Sequence, residues 1–99
     1  MDIKLVNRGN AGELILEGRL DAASAPDAEL IIMQTADRFD RIILNLEKLD
    51  YTSSAGLRII RNLQVKMNKK EGELLIRSAN SMVMEVFEMT GFASFLKFI

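Results

Sequence analysis

The chain contains no cysteine and no histidine. Without cysteine there are no disulfides, no thiol nucleophile and no thiolate metal site. Without histidine a Ser-His-Asp mechanism is impossible, and the commonest general base and metal ligand are both missing. Neither sign of charge dominates, with 13 Lys and Arg against 14 Asp and Glu and a net charge of −1. The strongly basic footprint of a nucleic-acid-binding domain is therefore absent. No apolar run approaches the ~20 residues that a membrane-spanning helix needs. Met1 to Asn7 holds no signal-peptide apolar core, which places the expected protein in the cytoplasm. There is no Gly-rich phosphate loop, no Gly-x-Ser-x-Gly elbow and no metal-ligand cluster. Together these absences point away from an enzyme and away from any cofactor.

What is present is an ordinary globular composition, 48% hydrophobic and 27% charged over 99 residues, enough for one domain spanning residues 1–99. Ile3 to Val6 and Glu13 to Glu17 read as two strands around a turn of Asn and Gly residues. Gly18 is expected to break the second strand. Asp21 or Ser24 then caps a helix with Pro26 in its first turn, where the missing N–H costs little. Leu30, Met33 and Gln34 follow at helical spacing, and that helix ends around Asp37 to Asp40. Arg41 to Leu46 is a near-continuous apolar strand of the kind found at the centre of a sheet.

Leu57, Ile60, Leu63 and Met67 form one helical stripe, closed by Glu71-Gly72. Glu73 to Arg77 is a further strand. Asn80 or Ser81 opens a helix that carries Val83, Val86 and Phe87 inward, with Gly91 as its C-cap. Phe95 to Ile99 is a last short strand. The alternation predicts an α/β domain, a mixed β-sheet of four to five strands packed with three to four helices.

The segment between the central strand and the second helix, Leu49 to Ile60, carries the most chemistry. Three hydroxyl residues, Thr52, Ser53 and Ser54, precede Ala55 and Gly56 at a helix start. There the backbone N–H groups are unpaired and the helix dipole is positive, which favours an anion, including a phosphate on the hydroxyl itself. From residue type alone Ser54 fits an N-cap as well as a modified residue. A glycine so early in a helix costs about 0.5–1 kcal/mol relative to alanine, a sign that something approaches the backbone closely. Asp21 is either a cap or a carboxylate at the same sheet edge. Arg58, Arg61, Lys66, Lys69 and Lys70 read chiefly as a solvated helix face. Met82, Met84 and Met89 read as partly buried packing.

Four segments in this order resemble the STAS domain family, and within it the bacterial anti-sigma factor antagonists. They are Gly18-Arg19-Leu20-Asp21, Ile42 to Leu46, Asp50-Tyr51-Thr52-Ser53-Ser54-Ala55-Gly56-Leu57-Arg58, and Phe87-Glu88-Met89-Thr90-Gly91-Phe92. Aligned on Gly56, the family's phosphoacceptor falls on Ser54. Ser53 stands where members often carry aspartate, and Ala55 where they often carry serine or threonine. The resemblance implies a phosphoprotein without catalytic activity. It also implies a partner-binding surface at Asp21, Thr52, Ser53, Ser54, Gly56, Arg58 and Arg61. The implied partners are an anti-sigma factor that is also a GHKL-type serine kinase, and a metal-dependent serine phosphatase. A monomer is the expected state. The competing expectations are a constitutive STAS adaptor, and a module binding a small anionic ligand or nucleotide at the same helix start.

Overall fold

Strand pairing explains most of the architecture of the computed structural model, which describes all 99 residues. Six strands and three α-helices follow one another as β1 (Asp2–Asn7), β2 (Gly12–Leu20), α1 (Ala25–Arg38), β3 (Arg41–Asn45), β4 (Leu49–Thr52), α2 (Ser54–Lys69), β5 (Glu73–Arg77), α3 (Ser81–Thr90) and β6 (Lys97–Phe98). A 3₁₀ turn, Phe92–Ser94, precedes β6. The sheet runs β1-β2-β3-β5-β6, with β4 also pairing β2. Only β1 and β2 are antiparallel. Every later pairing is parallel, because a helix returns the chain to the same end of the sheet each time. The mixed α/β sheet read from the sequence is the one present, with a five-strand path plus β4 and three helices plus the 3₁₀ turn.

One side of the sheet and the helices share a single core. Leu14, Leu16 and Leu20 of β2 point into the core, while Ile15 and Glu17 fall on the opposite face of the pleated strand. They meet Ile42 and Leu44 of β3, Leu74 and Ile76 of β5, and Ile59, Ile60, Leu63 and Met67 of α2. Burying each of these large side chains contributes about 1.5–3 kcal/mol before entropy is counted. Phe87 of α3 closes the far end, 6.2 Å from the Phe98 ring and 6.3 Å from Phe92. Asn80 caps α3, its side-chain oxygen accepting the Val83 N–H at 3.0 Å, and Gly91 ends it with φ +83°. No helix is long and apolar enough to cross a membrane.

Several local expectations need correction. Gly18 does not end β2. Its φ of +108° lies where glycine alone is unstrained, and the register shifts between Gly18 and Arg19. The strand bends there, leaves β3 after Ile15 and picks up β4. Leu49–Thr52, read as part of a connecting loop, is therefore a short strand beside the end of β2. In α1 the inward face is Ala28, Ile32 and Ala36, while Leu30 is 60% exposed. The run Leu30-Ile31-Ile32-Met33 carries no phase of its own, and only the neighbouring alanines reveal which side faces the core. On α3 Val86 is half-buried, and Met82 and Met89 point to solvent.

Candidate functional site

The ends of β2 and β4 lie side by side, and this junction builds the site. Leu20 pairs with Thr52, and the Ser53 N–H donates to the Leu20 carbonyl at 2.9 Å. The loop after β2, which carries Asp21, is thereby fixed against the loop that opens α2. Gly56, in the first turn of α2, is buried. A Cβ on it would collide with the Thr52 hydroxyl and would come within 2.8 Å of Leu20 Cγ. The close approach foreseen at this glycine is thus made by the protein's own Leu20 and Thr52. It presses the start of α2 onto the sheet edge.

The three hydroxyls have separate fates. Thr52 is buried, and its hydroxyl donates to the Ser53 carbonyl at 3.3 Å. Ser53 is the N-cap, its Oγ accepting the Ala55 N–H at 3.2 Å. Ser54 is the first helical residue. It is exposed, and its hydroxyl makes no hydrogen bond within the protein. The capping role open to Ser54 in the sequence therefore belongs to Ser53. Serine and aspartate are about equally good N-caps, so the departure from aspartate at this position leaves the helix start equally well held.

Asp21 is locked by its own loop. One carboxylate oxygen accepts the Ala23 and Ser24 N–H groups, each at 3.1 Å, and Ser24 Oγ donates to the Arg19 carbonyl at 2.8 Å. The Ser24 N–H foremost, then that of Ala23, holds the carboxyl below the usual aspartate range, and the Arg19 charge 3.8 Å away adds to this. Arg19 itself lies over the Tyr51 ring at 4.3 Å, a cation–π arrangement. Asp21 rather than the Ser24 side chain organises the entry to α1, whose N-cap residue Ser24 makes no side-chain capping bond.

Arg58 and Arg61 are exposed on the outer side of α2 and form no ion pair. Lys66 and Lys70, expected on the same solvated face, are tied to the end of α1 instead. Lys66 pairs with Asp37 at 2.6 Å, and Lys70 Nζ donates to the Ala36 and Phe39 carbonyls at 2.7 and 3.0 Å. The Lys66 hydrogen bond keeps the Asp37 carboxyl low. Between the starts of α1 and α2 runs a cleft of about 470 Å³, walled by Ala22, Pro26 and Glu29 on one side and Ser54, Ala55 and Arg58 on the other. Of the residues expected at the surface, Ser54, Arg58 and Arg61 are exposed, and Asp21 and Ser53 are half-exposed. Thr52 and Gly56 lie inside. No cluster of acidic side chains is placed to hold a metal ion.

A polar feature that sequence reasoning missed lies at the other end of β2. Glu13 is 1% exposed. Its carboxylate accepts from Arg8 Nε at 2.9 Å, from an Arg77 terminal nitrogen at 2.9 Å and from Asn45 Nδ2 at 3.0 Å. Its one signal in the sequence is an acidic residue inside an apolar strand.

Known proteins match the chain in both sequence and fold. The STAS domain family profile covers residues 2–99. BtrV of Bordetella bronchiseptica, a candidate anti-sigma factor antagonist, is 36% identical over 80 residues, 80% of this chain and 69% of BtrV. The anti-sigma-B factor antagonist of Staphylococcus aureus is 26% identical over 92 residues, 92% of this chain and 85% of that protein. The Bacillus cell fate determinant SpoIIAA, in its phosphorylated form, superposes with a TM-score of 0.77 at 17% identity, covering 99% of this chain and 91% of its own. Its unphosphorylated form gives 0.75 at 17% identity, covering 99% and 86%. At that identity the likeness is one of fold.

Proposed function

The chain belongs to the STAS domain family, grouping with its anti-sigma factor antagonists, and from that premise we propose that it works as a partner switch controlled by phosphorylation at Ser54. In the unphosphorylated state it binds an anti-sigma factor that is also a GHKL-type serine kinase, through Asp21, the loop opening α2 and the outer side of α2. That binding frees the sigma factor. The kinase then transfers the γ-phosphoryl group of its ATP to the Ser54 hydroxyl, releasing ADP, and a metal-dependent serine phosphatase hydrolyses the ester. The protein is the substrate in both steps and acts in the cytoplasm as a monomer.

The observation that carries this reading is the pair of adjacent serines. Ser53 caps the helix and Ser54 is left exposed with its hydroxyl unbonded, so modification at Ser54 breaks nothing. Phosphate adds about −1.5 to −2 charge, which the start of α2 tolerates without refolding. This chain shares its fold with SpoIIAA in the phosphorylated and in the unphosphorylated form, with TM-scores of 0.77 and 0.75. At an interface the new charge meets a surface shaped for a neutral hydroxyl. Like-charge juxtaposition there costs several kcal/mol, and each ~1.4 kcal/mol is tenfold in affinity.

Two measurements test the reading. Site mapping by mass on protein from its native cells, with and without phosphatase, is expected to find a removable phosphate on Ser54. Titration calorimetry against the kinase of the same organism is expected to show Ser54→Ala binding like the wild type. Ser54→Asp should then bind roughly 100-fold or more weakly. Equal binding by Ser54→Asp and the wild type would leave a constitutive adaptor as the function.

A further inference from the structure

Resting on the Ser54 reading, we propose that Arg58 is the internal partner of the phosphate. Its guanidinium is offered to the partner protein when Ser54 is free and is captured when Ser54 is modified. Charge is distributed unevenly in α2, which holds four cations, Arg58, Arg61, Lys66 and Lys69, and no acidic residue. Lys66 is already paired with Asp37. Arg58 has no such partner.

Its position matters as much as its freedom. Ser54 and Arg58 are four residues apart on one helix, which makes them surface neighbours with Cβ atoms about 5–6 Å apart. Long helical side chains lean back toward the helix N-terminus, so Arg58 covers the turn that begins with Ser54. Both line the same cleft. Across that cleft stands Glu29, which accepts from Asn62 at 3.4 Å. A phosphate dianion is repelled by the Glu29 wall and drawn to Arg58, whose planar donors match phosphate oxygens two at a time. Arg61, three residues further on, lies about 10 Å along the axis from Ser54. It is too far to do the same.

Phosphorylation then acts twice on a partner that presents an acidic group to this face. It adds negative charge at Ser54, and it withdraws the nearest free cation from the interface. No partner is needed to test the pairing. Phosphoserine is installed at position 54 of the full chain by genetic encoding. The phosphate is then titrated by phosphorus NMR in the wild type and in Arg58→Gln, Arg58→Lys and Arg61→Gln.

The free phosphoserine midpoint lies near 6. The wild-type midpoint is expected about half a unit or more below that of Arg58→Gln. Arg58→Lys should fall between them and Arg61→Gln should match the wild type. The Arg58 Nε–H resonance should also shift on phosphorylation. Equal midpoints in wild type and Arg58→Gln would overturn the pairing, as would an Arg61→Gln effect as large as that of Arg58→Gln. Failure to find native phosphate on Ser54 would instead overturn the switch, and the titration separates the two failures.

Discussion

At one end of β2 the Glu13 carboxylate is enclosed by Arg8, Arg77 and Asn45, all within 3.0 Å. At the other end the Ser54 hydroxyl, Arg58 and Arg61 are bonded to nothing in the protein. The first group joins residues up to 64 positions apart and holds β2, β3 and β5 in register. The second lies on one exposed helix side and holds nothing. A buried charge is tolerated only when its hydrogen bonds are satisfied, so the fold leaves Glu13 no freedom. An exposed group carries no such requirement, and where polar groups cluster unpaired on a rigid element they are available to a partner. The difference separates polar groups that build this molecule from those it presents.

Substitutions at the two ends should therefore differ in kind. The largest loss of stability is expected for Glu13→Ala, which leaves two arginines facing an emptied site. Removing one partner of a buried pair costs about 3–5 kcal/mol. Arg8 and Arg77 are 53% and 38% exposed in their side chains and can turn to water, so about 3 kcal/mol in urea unfolding is the expectation. A value below about 0.5 kcal/mol, the range of ordinary surface changes, would break the contrast.

The same carboxylate should make stability depend on pH. Burial pulls its pKa up, but the hydrogen bonds from Asn45 and Arg8 and the charges of Arg77 and Arg8 outweigh it and hold the group below its ordinary 4.5. A depressed folded value means the stabilisation is fully present above the unfolded value and is lost as pH falls through the folded one. Urea midpoints should therefore drop between about pH 5 and about pH 3 more steeply in the wild type than in Glu13→Gln. Parallel profiles would show that Glu13 is not the group responsible.

Gly56→Ala probes the buried underside of the site. Its Cβ collides with both Thr52 and Leu20, and such overpacking costs about 1–3 kcal/mol. Smaller still is the effect expected of Ser53→Ala, about 1 kcal/mol for a lost cap. The smallest is Ser54→Ala, within about 0.5 kcal/mol of the wild type. Thermal melts of these two neighbours sharpen the comparison to a single residue. If Ser54→Ala destabilised more than Ser53→Ala, the assignment of cap and free hydroxyl would be reversed.

The order of the elements other than β4, the helix stripe of α2, the caps at Asn80 and Gly91, and a helix start within Thr52 to Gly56 were legible in the chain, because each depends on residues close in sequence. The phase of α1 was not, since four consecutive apolar residues fit two faces equally. Gly18 was misread because a glycine that ends a strand and one that bends it look alike until the next strand is in place. The exposure of Met82 and Met89 was also hidden, as methionine suits core and surface about equally.

Periodicity and turn chemistry were enough by themselves to determine an α/β domain with one hydroxyl-rich helix start, and the absence of histidine and cysteine removed thiol and histidine chemistry. These are local or compositional properties, and they survive without knowledge of neighbours. Which serine caps and which stays free, what presses on Gly56, which cations of α2 are engaged by α1, and that Glu13 lies buried were decided only by tertiary structure. Each depends on a group arriving from a distant strand or helix, and hydrogen bonds, ion pairs and burial exist only between groups the fold has brought within a few ångströms.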